Sequence, residues 1–512
     1  MRGASLHGAV REQDSVYEYY VDEGKVSWAH WEERLPASFR IAPGTPFSQI
    51  LVPTVDTIRY GAVLSTLMRA GHHVMLTGDV GVGKTSIVGS ALRGLGESFL
   101  STVINFSART SSTRVSDDIE AKVEKRTKDT WAPPGGKKLV VFIDDFNMPE
   151  KEVFSAQPPL ELLRQWLQYS FWYDLKKQTP KYVRDAQLVA GLGHPGGGRT
   201  SISARTTHCF HVLNLAFPAE AQVRKIFGTL VNSHLSAYGD EIRPTGDLLV
   251  GATYEIYVRL CAELLPTPDK PHYTFNLRDI SRVVEGVLQP VAYDSREGVA
   301  RLWAHECYRV FGDRLTNDAD RESFAAIVSE RCAAAFGQPL ASFFDGGAMT
   351  HFCDFMGGAR ADGDKGRAPY EEVTDRAALK KLIEERLDDY NEEPGVQRMD
   401  LVCFSDAIAH VCRIKRVIAM PRGHAMLVGV GGSGRQSLAR LASYLADFRV
   451  FTIEVVRGYK SELFREDLKK LYDLTGTQQL PTVFLFNDTQ VIESSFLEDI
   501  NGMLTSGEVS NL

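Results

Sequence analysis

Eight consecutive residues, Gly78-Asp79-Val80-Gly81-Val82-Gly83-Lys84-Thr85, constrain this chain more than any other feature of it. They follow a short apolar run, HHVMLTG, and precede SIVGSALRGL, a stretch with helical periodicity. A glycine-rich turn ending in Lys-Thr, set between a buried strand and a helix, lets backbone N–H groups turn inward around phosphate oxygens. The helix N-terminus adds positive potential at the same place. Lys84 is expected to reach the β- and γ-phosphates, and the Thr85 hydroxyl to ligate Mg²⁺. The loop from Gly78 through Ser86 is therefore the first candidate binding site, for ATP or ADP.

A site of this kind needs an acid at the end of a second buried strand. The run LVVFID covers 139–144 and is followed by a second aspartate. Asp144 is placed to hold Mg²⁺ through water. Asp145 falls where a carboxylate normally orients the attacking water, and it is one methylene shorter than Glu. A misplacement of about 1 Å can cost about 10²-fold in rate. The pattern points to nucleotide binding and leaves hydrolysis open.

The pattern then returns. Gly429-Val430-Gly431-Gly432-Ser433-Gly434-Arg435-Gln436-Ser437 lies 351 residues after the first loop, counted from Gly78 to Gly429. It is preceded by the helical stretch FSDAIAHVCRIKRVIAM and the apolar GHAMLVG, and followed by TVFLFND at 482–488. Gly78 and Asp144 are 66 residues apart, Gly429 and Asp488 59. This is a long divergent duplication, not a short solenoid repeat. The second loop keeps Gly429, Gly431, Gly432, Ser433 and Gly434. Arg435 replaces the lysine, a planar fork in place of a compact ammonium. Gln436 replaces the hydroxyl residue, and Ser437 comes one position late. Thr489 follows Asp488 where a carboxylate would stand. Nucleotide binding is expected at this second loop without hydrolysis, and the second copy is expected to stop soon after its acid, within a domain.

Alternating short buried strands and helices give an α/β fold: a parallel sheet with flanking helices, a helical subdomain, and a second, incomplete module. The expected divisions are a lead-in segment at 1–45 with Trp28 and Trp31 as aromatic anchors, a large α/β subdomain at 46–215, and a helical subdomain at 216–345. A connector and amphipathic helix follow at 346–403, then the second module at 404–512. Within the first module, 46–70 is read as a helix with Ile58, Val63, Leu64 and Leu67 on its apolar face. A Gly- and Asp-rich stretch, 345–370, is the linker, and 371–393 is a charged amphipathic helix.

Composition narrows the function. Apolar residues make up 44% and charged residues 24%, as in an ordinary globular chain. Basic side chains number 58 and acidic ones 65, a net charge of −7, which argues against a general nucleic-acid binder. No apolar run approaches the ~18 residues of a membrane span, and the N-terminus lacks the apolar core of a secretory signal. Neither a nucleic acid nor a membrane is an expected partner. Seven scattered cysteines without a C-x-x-C pair are read as reduced thiols.

The pairing of GDVGVGKTS with VVFIDDFNMP resembles the AAA+ modules of axonemal dynein heavy chains. VPTVDTIRY, VEKRTKDTWAPPGGKK, QPPLELLRQW, GHPGGGRT, HYTFNLRDISRVVEGVL and WAHECYRVFGDRL agree with it. LVGVGGSGRQSLARLA and FLFNDTQVIESSFLEDINGMLTSGEVSNL are similar to the fourth module of that family, which makes the first copy the third. The resemblance runs from about residue 15 to the end. It implies Walker A and Walker B roles for Lys84, Thr85 and Asp144, and a catalytic position for Asp145. It implies that Arg278 in FNLRDISR is the sensor-2 arginine touching the γ-phosphate. The sensor-1 polar residue falls on Gly193, which has no side chain. Arg205 in ISARTTHCF is the candidate finger toward a neighbouring module's nucleotide, with Thr207 and Cys209 where the family often has further arginines.

The implied function is an ATP-binding regulatory segment of a minus-end-directed microtubule motor of cilia or flagella, located in the cytoskeleton of the axoneme. The implied partners are the other AAA+ modules of a dynein ring, and intermediate and light chains through the full heavy chain. Microtubules would be reached only through a stalk that these 512 residues do not contain. Two alternatives stand beside it. One is a nucleotide-locked structural module that binds and barely turns over, favoured by Asp145, Gly193 and Arg435. The other is a separate hexameric AAA+ remodelling ATPase, disfavoured by the dynein-type sequence between the motifs.

Overall fold

The structure is a computed structural model. It describes residues 14–22, 24–37, 39–42, 44–174, 177–196, 198–289, 293, 295–343, 350–356, 369–505, 507, 509 and 512. The chain divides into two compact units, 1–233 with 276–278, and 234–275 with 279–512.

The first unit is built on a five-stranded parallel sheet. Its order is His211–Leu215, Val74–Gly78, Ala186–Leu192, Lys138–Asp144, Phe99–Asn105. The acid strand Lys138–Asp144 is buried from Leu139 through Ile143, as a parallel strand covered on both faces must be. Its side chains alternate between two cores. Val140 and Phe142 join Leu64, Met68, Val88 and Leu76 on one face. Leu139, Val141 and Ile143 join Val115, Ile119, Leu160 and Leu163 on the other. Helices Val55–Arg69 and Lys84–Arg93 therefore cover one face, Ser112–Glu120 and Pro158–Tyr169 the opposite one.

The helix expected over 46–70 begins only at Val55. Thr54 caps it reciprocally with Thr57, and Pro53 before the cap favours extended backbone at Val52. Its fully buried residues are Leu64 and Met68, with Ile58, Val63 and Leu67 half-buried. In the lead-in segment, Tyr19–Asp22 pairs antiparallel with Ser27–His30. Trp31 is the buried anchor, ringed by Tyr20 and Arg34, whereas Trp28 sits half-buried in the hairpin. Residues 1–13 of that segment lie outside the described residues.

The second unit is mainly helical. Thr245–Glu263, Arg296–Val310 and Asp318–Phe336 pack around Trp303, whose indole N–H donates to Thr253 Oγ1 at 2.8 Å. Much of the expected linker at 345–370 lies outside the described residues. Within it, His351–Cys353 pairs antiparallel with Glu371–Val373, so 371–393 opens on a strand before helix Arg376–Glu392. Leu379, Ile383 and Leu387 of that helix share a core with Val411 and Cys412 of helix Ser405–Ala419 and with Leu438 and Leu441 of helix Arg435–Leu445.

The second copy differs from the expectation in its sheet. Arg449–Phe451 and Thr482–Phe484 pair in parallel, the counterparts of Phe99–Asn105 and Lys138–Asp144. The segment GHAMLVG, expected as a strand, carries no ladder, and Met426 and Val428 are each 89% exposed. In the first copy the loop strand Val74–Gly78 is bonded on its two sides by Ala186–Leu192 and His211–Leu215, whereas among the described residues no strand pairs with 423–429. Among the described residues no helix is long and apolar enough to cross a membrane.

Candidate functional site

The phosphate loop emerges from the end of Val74–Gly78 and turns into helix Lys84–Arg93. Gly81 and Gly83 take φ of +83° and +91°, the left-handed region that a side chain would strain. Gly78, at φ +149°, lies so close to the Leu215 carbonyl that a Cβ would collide with it. Lys84 Nζ donates to the carbonyls of Gly78 at 2.9 Å and Asp79 at 2.8 Å, which holds the ammonium at the mouth of the loop. Burial pulls its pKa below the ordinary lysine value, opposed by Asp144 and Asp145.

The loop meets the acid strand directly. The Thr85 hydroxyl donates to Asp144 Oδ2 at 2.5 Å. The Asp145 N–H donates to Asp144 Oδ1 at 3.0 Å. Burial pushes the Asp144 carboxyl up, and the Thr85 hydrogen bond partly offsets this. Asp145 has φ +50°, a turn conformation that Asp tolerates better than most residues. It is clamped on either side: Phe146 N–H bonds the Gly191 carbonyl and Met148 N–H the Asp145 carbonyl. The hydroxyl and carboxylate oxygens of Thr85 and Asp144 are the hard donor set that suits Mg²⁺.

Three contributors to this site come from residues that sequence reasoning did not assign. Asn276, just before Arg278, packs on Gly81, where a Cβ would lie 3.1 Å from its Oδ1. His194 Nε2 lies 3.5 Å from Asp79 Oδ1. Arg199 Nη2 donates to Asp145 Oδ1 at 3.0 Å. The signal for Arg199 was a glycine in the sensor-1 position with an arginine six residues on.

Other expected residues are not gathered in. Arg278 is exposed at the start of helix Leu277–Val287. Its backbone N–H is capped by Asn276 Oδ1 at 2.9 Å, and among the described residues its guanidinium makes no bond to the loop or the acids. Arg205 is exposed on the short helix Ala204–Thr207, with no bond to the site among the described residues. Ser86 and Val80 are exposed, while Val82 points into the core.

The second loop repeats the local geometry without the closure. Gly432 and Gly434 take φ of +78° and +75°, and the helix begins at Arg435, as the first begins at Lys84. Its acid is displaced. Asp488 does not end a strand; it opens a 3-10 turn, Asp488–Gln490, four residues beyond Phe484, and is exposed. Among the described residues neither Gln436 nor Ser437 bonds to it.

A parallel sheet with the loop strand flanked on both sides, a lysine at the loop mouth and a Thr–Asp contact across the strand ends define a P-loop nucleotide-binding domain of the AAA+ kind. Residues 39–218 match the family described as P-loop containing dynein motor region. Residues 231–321 match the dynein heavy chain ATPase lid domain, and 399–512 the P-loop containing dynein motor region D4. The chain is 48% identical over 504 residues to the Dynein-1-beta heavy chain of the flagellar inner arm I1 complex of Chlamydomonas reinhardtii, covering 98% of this chain and 11% of that protein. It is 47% identical over 510 residues to Dynein axonemal heavy chain 2 of Homo sapiens, 99% of this chain and 11% of that one. Dynein axonemal heavy chain 6 of Homo sapiens is 40% identical over 486 residues, 94% of this chain and 12% of that protein. The chain belongs to the axonemal dynein heavy chains, and it spans about a tenth of the length of these relatives.

Proposed function

We propose that the chain supplies regulatory, ATP-binding AAA+ modules, the third and part of the fourth, to the ring of a minus-end-directed microtubule motor in cilia or flagella. The observation that carries this reading is the Thr85–Asp144 hydrogen bond, which joins the phosphate loop to the acid strand. Lys84 would bind the β- and γ-phosphates. Thr85 and Asp144 would hold Mg²⁺, which supplies charge neutralisation at the phosphates when bound. Asp145 would orient water. Arg278 would close on the γ-phosphate as the lid segment moves, and Arg205, exposed as a finger must be, would reach a neighbouring module. The division at 46–215, 216–345, 346–403 and 404–512 follows the same reading, supported by family matches at 39–218, 231–321 and 399–512.

Through the full heavy chain the partners would be the other ring modules, intermediate and light chains, and microtubules by way of a stalk. The flagellar inner-arm relative supports an inner-arm location. A second reading, a nucleotide-locked module, is favoured by the ion pair on Asp145. The test is ATP binding and single-turnover hydrolysis on the purified chain beside its Lys84→Ala variant. Sites are counted, since nucleotide at the second loop would survive the change: a binding stoichiometry unaltered by Lys84→Ala would sink the assignment of the first loop. Lys84-dependent binding with turnover supports a working ATPase, and binding without turnover supports the locked module.

A further inference from the structure

The turn that follows strand Ala186–Leu192 carries an arginine into the place left open by Gly193. A Cβ on Gly193 would lie 2.9 Å from Arg199 Nε and 3.0 Å from its Cδ. The arginine stem thus fills the space into which a side chain at 193 would project. The turn is fixed from beneath. Asn147 Nδ2 donates to the carbonyls of Gly193 at 2.8 Å and Thr200 at 3.2 Å, and Thr200 N–H returns to the Asn147 carbonyl at 2.9 Å. Gln157 Nε2 donates to Thr200 Oγ1 at 2.7 Å. Gly196 and Arg199 bond each other through both backbone pairs.

The guanidinium is incompletely used. One nitrogen, Nη2, holds Asp145, while Nε is buried with no hydrogen-bond partner. Arg199 is also among the charges that depress the Lys84 ammonium, which puts it within electrostatic reach of the group that meets the terminal phosphates. A planar fork with spare donors beside that position suits a phosphate oxygen bidentately.

Resting on the nucleotide-site reading above, we infer that Arg199 replaces the missing sensor-1 side chain, contacts the γ-phosphate, and so sets the preference of the first site for a nucleoside triphosphate over a diphosphate. The guanidinium pairs with Asp145 Oδ1 and occupies one oxygen of a carboxylate that is otherwise half exposed. A γ-phosphate brings further negative charge to the same donors, and the arginine turns toward it, releasing Asp145. The sensing residue and the water-orienting residue are thereby linked through one hydrogen bond.

The test measures ATP-analogue (non-hydrolysable) and ADP affinities by titration calorimetry on the full chain, for the wild type, Arg199→Ala and Arg199→Gln, each with Mg²⁺. The expected result is a loss of about 10- to 100-fold in triphosphate affinity, with diphosphate affinity unchanged within about twofold. The double variant Gly193→Asn/Arg199→Ala, with a polar side chain restored at 193, should recover part of the preference. Should Arg199→Ala fail to fold, Arg199→Gln, which keeps a hydrogen bond to Asp145, gives the same comparison. Equal losses for both nucleotides, or none, would overturn the role of Arg199 while leaving the nucleotide site intact. A wild-type chain that binds neither nucleotide would overturn the site and this inference together.

Discussion

Glu306 is the most deeply buried acid among the described residues of the second unit, and removing its charge offers a sharp test of how that unit is held together. It is fully buried on helix Arg296–Val310, and Arg416 of helix Ser405–Ala419 is 8% exposed. The guanidinium grips the carboxylate with both Nη2 and Nε, the latter at 3.1 Å, and the Tyr370 hydroxyl donates to Oε1 at 3.2 Å. Glu306→Gln keeps the volume and one acceptor but leaves the guanidinium charge unpaired in a dry site. Breaking a buried pair in this way costs about 3–5 kcal/mol, roughly two to three and a half orders of magnitude in the opening equilibrium. The double variant Glu306→Gln/Arg416→Met removes both charges and should recover most of the loss. With two units, a single unfolding midpoint is a poor reading. Amide hydrogen exchange resolves them: Arg296–Val310 and Ser405–Ala419 should exchange faster, while Pro158–Tyr169 in the first unit should not change. A cost under about 1 kcal/mol, or a double variant as unstable as the single one, would refute the reasoning.

Three further outcomes are expected. Gly286→Ala places a methyl against the Glu306 carboxylate and Arg416, so it should destabilise the second unit by about 1–3 kcal/mol in urea titrations. Gly78→Ala combines a left-handed φ with a collision at the Leu215 carbonyl, and should lower both nucleotide affinity in calorimetry and thermal stability of the first unit. His73 accepts the Leu188 N–H through Nδ1, and burial, reinforced by His72 and His211, takes its pKa from 6.5 to about 4. The unfolded chain therefore takes up a proton that the folded one refuses as pH falls from 6.5 to about 4. His73 should cost the first unit up to about 3 kcal/mol across that window, and His73→Asn should flatten the slope. Parallel pH profiles for the two proteins would contradict this.

The conformation of the first loop could be read from the chain because it is local. Glycine spacing, a lysine and a threonine at a helix start, and an acid closing an apolar run are properties of short segments. Their backbone conformations follow from residue type, as the left-handed Gly81 and Gly83 illustrate. The alternating core of Leu139 through Ile143 was equally legible, since a strand covered on both faces needs apolar residues at every position. The duplication was legible for the same reason, and helix Arg435–Leu445 starts in register with helix Lys84–Arg93.

What sequence could not supply was adjacency between distant segments. Nothing in HHVMLTG and GHAMLVG distinguishes a laddered strand from a bare one. In the first copy the ladder is supplied by Ala186–Leu192 and His211–Leu215, more than a hundred residues later in the chain. Asp145 reads as a free carboxylate in VVFIDDFN, yet it is paired with Arg199 from a turn 54 residues on, because the Asn147–Thr200 bonds fold that turn back over the strand end. Glu306 and Arg416 sit 110 positions apart on two charged-looking helices and meet only when those helices pack and exclude water from both. Local propensity writes the elements and the reactive groups into the chain. Long-range packing chooses which charges face one another, and in a dry interior that choice sets their free energy.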